Sequence, residues 1–125
     1  MSKVMIVTGG SRGIGAAISK MAIAKGYVVV INYHARADAA VDTMTVGLAK
    51  EVGGEGIRVN AVSPGIIDTE IHAFGGEPGR VDRIAPAIPV KRAGTADEIA
   101  NAVIWLCSDQ ASYCNGTILD CSGGR

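Results

Sequence analysis

The sequence predicts an α/β protein built on a small parallel sheet of about four strands. Three observations carry that expectation. Apolar strand-like runs alternate with helix-period segments, a glycine turn joins the first strand to the first helix, and 125 residues suit one compact domain, 1–125. A chain of this length buries about two-thirds of its unfolded surface, enough for a helix-covered sheet without disulfide or metal support.

Residues 4–7 are a short apolar run of the kind found in buried strands. Thr8-Gly9-Gly10-Ser11-Arg12-Gly13-Ile14-Gly15 follows. Beyond it Ile14, Ala17, Ile18 and Met21 recur at intervals of three and four on one helical face. Residues 27–31 read as a second strand and complete a βαβ unit. Glycines in such a turn allow a close approach that a Cβ forbids, and the N–H groups and positive dipole end of the helix attract a pyrophosphate. This turn therefore marks a dinucleotide site, with a plain tight βα turn as the competing reading.

A second helix begins near Asp38 and carries Val41, Met44, Thr45, Leu48 and Val52 on one stripe, stopped by Gly53-Gly54. Residues 57–62 form the next strand, ended by Ser63-Pro64-Gly65, since proline lacks a donor and glycine permits the turn. Residues 68–92, interrupted by Gly75, Gly76, Pro78, Gly79, Pro86 and Pro89, read as an irregular binding lid. Thr95-Ala96-Asp97-Glu98 is a capping box that opens a helix with Ile99, Ala102, Val103 and Leu106 on a common face. Residues 117–121 supply the last strand.

Twelve basic and twelve acidic residues balance, so no global field favours nucleic acid or an anionic membrane. No apolar stretch is long enough to span a bilayer, and the N-terminal residues run into a strand without a cleavable signal, so a cytoplasmic protein is expected. Cys107, Cys114 and Cys121 are odd in number and form no CxxC pair, which argues against a disulfide framework or a metal site.

Three stretches together resemble the short-chain dehydrogenase/reductase family: Thr8-Gly9-x-x-x-Gly13-x-Gly15, Arg58-Val59-Asn60-Ala61-Val62-Ser63-Pro64-Gly65 with Thr69 behind it, and Gly116-Thr117-x-x-x-x-Ser122-Gly123-Gly124. The family activity is hydride transfer between a nicotinamide dinucleotide and an alcohol or ketone. Its usual domain also contains an Asn-Asn-Ala-Gly strand, a strand with a catalytic serine, and a helix opening with Tyr-x-x-x-Lys. None of these is in this sequence. Ile31-Asn32-Tyr33 passes almost directly into the middle of that helix, with His34 and Asp38 near the family's tyrosine and lysine positions. At about thirty residues per βαβ unit, the missing strands and helices amount to on the order of a hundred residues. The chain thus reads as an internally deleted member with no catalytic residue to carry over, and impaired catalysis is expected. His34 and His72 are each either a substitute acid or a solvated side chain.

The resemblance implies that Gly9, Gly13, Gly15 and the Ile14 backbone face a pyrophosphate, that Ser11 belongs to the same cofactor site, and that Pro64, Gly65, Ile67 and Thr69 flank a nicotinamide. Asn32 stands where a carboxylate would accept from the ribose 2′-hydroxyl of NAD, while Arg12 and Arg36 would pair with a 2′-phosphate, so NADP is expected over NAD. Arg12 as a solvated surface cation is the alternative. Closing the gap left by the missing strands gives a small doubly wound, Rossmann-like sheet in the order 2-1-3-4. Relatives pair through the last helix and strand, both present here with Trp105, which is either core or interface. A homodimer through these elements, or by strand exchange, follows. A non-catalytic nucleotide-binding or self-associating scaffold is the second function class.

Overall fold

The computed structural model describes residues 4–8, 13–26, 28–32, 38–70, 76 and 79–124. The elements in chain order are β1 (Val4–Thr8), α1 (Gly13–Ala24), β2 (Val28–Asn32), α2 (Asp38–Val52), β3 (Ala61–Pro64) and β4 (Ile67–Asp68). After them come α3 (Arg80–Ile84), β5 (Gly94–Thr95), α4 (Ala96–Leu106) and β6 (Ile118–Cys121). Single 3-10 turns occupy Gly53–Glu55, Ala85–Ala87 and Asp109–Ala111.

The first βαβ unit forms as its pattern requires. β1 pairs in parallel with β2, Val4 opposite Val28 through Thr8 opposite Asn32. One face of α1 buries Ile18 and Ala22 against Met5 and Val7 of β1, and Ile14, Ala17 and Met21 pack on this cluster. Ala100 and Ile104 of α4 close the same cluster from the other side. Ala22 and Ala100 are both fully buried, so the two helices approach closely where their side chains are smallest.

α4 starts at the capping box as expected. The Glu98 N–H donates to Thr95 Oγ1 at 3.2 Å, and the Thr95 N–H donates to Glu98 Oε2 at 2.8 Å. Arg92 adds a contact that local patterning does not reveal, donating to both carboxylate oxygens of Glu98 at 2.8 and 2.6 Å. The buried positions are Ile99, Ala100, Ile104 and Leu106, with Ala102 and Val103 half-buried, a face turned slightly from the expected one because α1 lies alongside. Trp105 is 40% exposed and lies outside the buried core.

β3 pairs in parallel with β6, Ala61 opposite Ile118 through Pro64 opposite Cys121. It begins later than residue 57 and runs through Pro64, contrary to the sequence expectation. Two asparagines explain the late start. The Val59 N–H donates to Asn115 Oδ1 at 2.9 Å and the Thr117 N–H to Asn60 Oδ1 at 3.1 Å, so side chains take the places of ladder partners. Pro64 is tolerated because the Ala61 and Gly65 N–H groups bond β6 and its segment, at Thr117 O and Cys121 O, whereas the position of Pro64 faces away. Arg58 locks the same region by donating to the carbonyls of Leu106, Ser108 and Cys114 at 2.7, 3.1 and 3.2 Å, which caps the end of α4.

The expected strand order is met at both ends, 2 beside 1 and 3 beside 4 (here β6). Among the described residues the strands form three parallel pairs, β1–β2, β3–β6 and the short β4–β5, and β1 is not hydrogen-bonded to β3. The continuous 2-1-3-4 sheet is therefore interrupted at its centre. α1 packs on β1 and β2, α4 packs on β3, and the two helices lie side by side.

The expected stripe on α2 also divides. Thr45 and Ala49 are buried, whereas Met44 and Leu48 are 63% and 40% exposed. The side chain of Val41 lies outside the described residues. The stretch read as irregular contains the end of β4, α3 and a 3-10 turn, with residues 71–75 and 77–78 outside the described residues. No helix among the described residues is long and apolar enough to cross a membrane.

The Arg92–Glu98 pair gives a pH signature. The Arg92 guanidinium, and then the Thr95 backbone N–H, hold the Glu98 carboxyl at about 2, below its ordinary 4.5. A depressed folded-state value means the contribution is complete above the unfolded value and is lost as pH falls through the folded one. The Tm difference between the wild type and Arg92→Ala should therefore be constant above pH 4.5 and close as pH falls toward about 2. Thermal melts across that range check it.

Candidate functional site

The candidate site lies at the carboxyl ends of the parallel strands, where β1 gives way to α1. Helix α1 starts at Gly13 with φ +52°, a left-handed conformation that favours glycine. Its first turn contains no acidic residue, so the positive end of the helix dipole has no neighbouring carboxylate on the helix itself. Gly15 is buried, and its carbonyl accepts from Ser19 Oγ at 2.8 Å. Ile14 sends its side chain into the core cluster, which leaves only its backbone for the turn.

Thr69 comes to this helix end from far along the chain. A Cβ built on Gly13 would lie 3.6 Å from Thr69 Cβ and Cγ2 and 3.9 Å from its hydroxyl oxygen. Thr69 follows β4, and β4 is held by β5 with Ile67 opposite Gly94 and Asp68 opposite Thr95. The Gly94 N–H donates to Ile66 O at 3.0 Å, and a Cβ at Gly94 would meet Ile67 Cδ1 at 2.8 Å. Thr95 is also the N-cap of α4. The cap of one helix thus sets the strand pair that delivers a hydroxyl to the start of another.

The other sequence candidates distribute as follows. Asn32 ends β2 directly opposite Thr8, with its side chain outside the described residues. Gly9, Ser11, Arg12 and Arg36 lie outside the described residues, as do His34 and His72. Pro64 is exposed at the end of β3. Gly65 has a packing reason of its own, because a Cβ there would sit 2.6 Å from Ser122 Cα. Ile67 is 5% exposed, so its side chain belongs to the interior and only its backbone is available to a ligand.

An open cavity of about 670 Å³ runs from Gly13 and Thr69 along α1, lined further by Ala16, Lys20, Glu70 and Asp97. The sequence reading missed these last four. Lys20 lies two helical turns after Gly13, a spacing that could have flagged it; Glu70 and Asp97 carry no comparable local signal. Cys107, Cys114 and Cys121 are half-buried thiols, and burial together with Asp120 pushes Cys121 above the ordinary thiol range. Among the described residues no cluster of three metal-ligating side chains occurs.

Comparisons with known proteins bear on this geometry. A family model described as enoyl-(acyl carrier protein) reductase matches residues 35–125. The Escherichia coli protein YgfF, named as an uncharacterized oxidoreductase, is 46% identical over 125 residues, covering 100% of this chain and 51% of its own length. An acetoacetyl-CoA reductase of Rhizobium meliloti is 38% identical over 116 residues, covering 91% of this chain and 48% of its own. The chain therefore spans about half the length of these curated relatives. Among solved folds, the Thermus thermophilus protein TT0495 matches with a TM-score of 0.80 at 20% identity, over 98% of each chain. A small-chain dehydrogenase solved in complex with NADPH matches with a TM-score of 0.80 at 20% identity, over 99% of this chain and 98% of that one.

Gly65→Ala tests whether close packing alone accounts for this glycine. The added methyl group meets backbone, which cannot swing aside, and overpacking of this kind costs about 1–3 kcal/mol. A lowered urea midpoint with unchanged m-value is the expected result.

Proposed function

Because this chain belongs to the short-chain dehydrogenase/reductase family, we propose that it is an NADP-binding member whose hydride-transfer chemistry is impaired. One observation carries the binding half of that reading: Gly13 at φ +52°, opening a helix with no acidic residue in its first turn and facing Thr69. A pyrophosphate fits there, since the helix end supplies N–H donors and partial positive charge while glycine leaves room for approach. Gly9, Ser11, Gly13, Gly15 and the Ile14 backbone are the proposed phosphate contacts. Pro64, Gly65 and Thr69, with the Ile67 backbone, border the nicotinamide end. Arg12 and Arg36 pair with the 2′-phosphate, and Asn32 lacks the charge that would repel it.

When bound, the dinucleotide supplies or accepts a hydride. Reduction of a ketone also needs a group that protonates the developing alkoxide and a donor that steadies the carbonyl oxygen. No Tyr-x-x-x-Lys occurs in the 125 residues, and the family's serine-bearing strand is missing from the sequence. The proposal is therefore a single truncated domain that binds the cofactor without completing the reaction.

A second reading, a self-associating scaffold, is favoured by Trp105, which is 40% exposed on α4. Large aromatics on a surface helix commonly anchor interfaces, so a homodimer through α4 and β6 is proposed with it. Light scattering on the wild type and Trp105→Ala separates it from a monomeric binding domain.

The binding reading is tested by fluorescence titration with NADPH and NADH. NADPH should bind more tightly, and turnover of ketones and alcohols should be absent. Gly13→Val should abolish binding, because a branched side chain is strained at this φ and fills the approach. Arg12→Ala should remove most of the NADPH advantage, since a charge-assisted hydrogen bond is worth about 1.5–3 kcal/mol, or roughly ten- to a hundredfold. Failure of the wild type to bind either nucleotide would overturn the proposal.

A further inference from the structure

The Thr69 hydroxyl reaches the start of α1 from a strand only two residues long. Among the described residues β4 has one hydrogen-bonded strand neighbour, β5, itself two residues long, so Thr69 is placed by whatever holds Gly94 and Thr95. Part of that hold is local. The Gly94 N–H donates to Ile66 O at 3.0 Å, and Ile67 is buried beside it.

The rest comes from a carboxylate. Glu98 Oε2 accepts from the Thr95 N–H and from Arg92 Nη1, both at 2.8 Å, while Glu98 Oε1 accepts from Arg92 Nη2 at 2.6 Å. An exposed ion pair ordinarily adds little to stability. This one is bidentate, and the oxygen it shares is bonded to the backbone of β5, so its geometry is passed to a strand with few other supports.

The approach to Arg92 is itself constrained. Lys91 has φ +61°, the only left-handed backbone at a non-glycine among the described residues, and such strain persists where surrounding contacts over-determine it. Those contacts lie on both sides. The Lys91 N–H donates to Ile88 O at 2.8 Å and Lys91 Nζ to Pro86 O at 3.1 Å, the Val90 N–H donates to Gly123 O at 3.3 Å, and Ile88 is 1% exposed. A turn anchored in the interior and on the segment after β6 therefore presents Arg92 to Glu98.

We propose that Arg92 and Glu98 are positioning residues for the dinucleotide site: their ion pair holds β5, β5 holds β4, and β4 sets the Thr69 hydroxyl at the Gly13 end of α1, where the bound dinucleotide meets it. Neither residue lines the cavity beside Gly13, so both act through Thr69. The inference takes its ligand from the cofactor reading given above, while the placement of Thr69 stands apart from it.

The test titrates NADPH into the full 125-residue chain by fluorescence and adds a readout of Thr69 that needs no ligand. Arg92→Ala should weaken binding about fivefold, the upper end of what an exposed ion pair contributes. Arg92→Lys keeps the charge but not the planar fork, and should recover part of the loss. In a Thr69→Ala background Arg92→Ala should cost nothing more, and losses that simply add overturn the proposal. Glu98→Gln separates position from field. Removing a negative charge would tighten an anionic ligand through space, whereas losing the charged acceptor of the fork should loosen it about twofold or more. Tighter or unchanged binding overturns the proposal. In the ligand-free chain with labelled threonine and alanine methyl groups, Arg92→Ala should move the Thr69 methyl resonance and leave that of Ala22, in the core, in place. A Thr69 resonance that does not move overturns the proposal. Wild-type protein that binds no nucleotide sinks the cofactor reading, and the methyl resonance then decides the placement of Thr69 by itself.

Discussion

The packing of α1 on α4 is the constraint from which the other features follow. It joins the N-terminal βαβ unit to the C-terminal strand pair, elements that share no ladder hydrogen bond. Ala22 and Ala100 make the approach close, and Met5, Val7, Ile18 and Ile104 fill the space around them. Burying each larger side chain contributes about 1.5–3 kcal/mol, so this cluster rather than backbone pairing holds the two halves together. The meeting of Gly13 with Thr69 depends on where these two helices lie.

Thr69 illustrates how position is passed along. Arg92 and Thr95 order Glu98, the ordered cap starts α4, the adjoining Gly94–Thr95 strand pairs with Ile67–Asp68, and the next residue faces Gly13. A group that touches no ligand thereby controls the geometry of one that could, which is why structural and functional constraint cannot be assigned separately in so small a domain.

Legibility in the sequence followed the range of the interactions. The face of α1, the capping box at Thr95 and Glu98, and the bounds of α2 depend on residues within a few positions of each other, and each was readable from spacing. The limits of β3 were not, because Asn115 reaches Val59 across 56 positions and stands in for a strand partner. The central interruption was invisible for a related reason: strand order was inferred by closing a gap, whereas no ladder bond joins β1 to β3. At the candidate site, motif resemblance singled out Gly13 and Thr69, which the fold brings to one helix end. Lys20, Glu70 and Asp97 were not legible, since three elements distant in sequence had to converge before they lined one cavity.

The asparagine that pins β3 also sets a chemical clock. Asn115 precedes Gly116, the pair in which a backbone nitrogen most easily attacks the preceding side-chain amide and releases ammonia. In the fold that nitrogen donates to Val59 O at 2.8 Å, while the amide is held by Ala49 O and the Val59 N–H, so neither reactant is at liberty. Ageing of this site is therefore coupled to unfolding. Once an aspartate has formed, its carboxylate confronts the Ala49 carbonyl where a donor used to be, so each damaged molecule refolds less well than the last intact one.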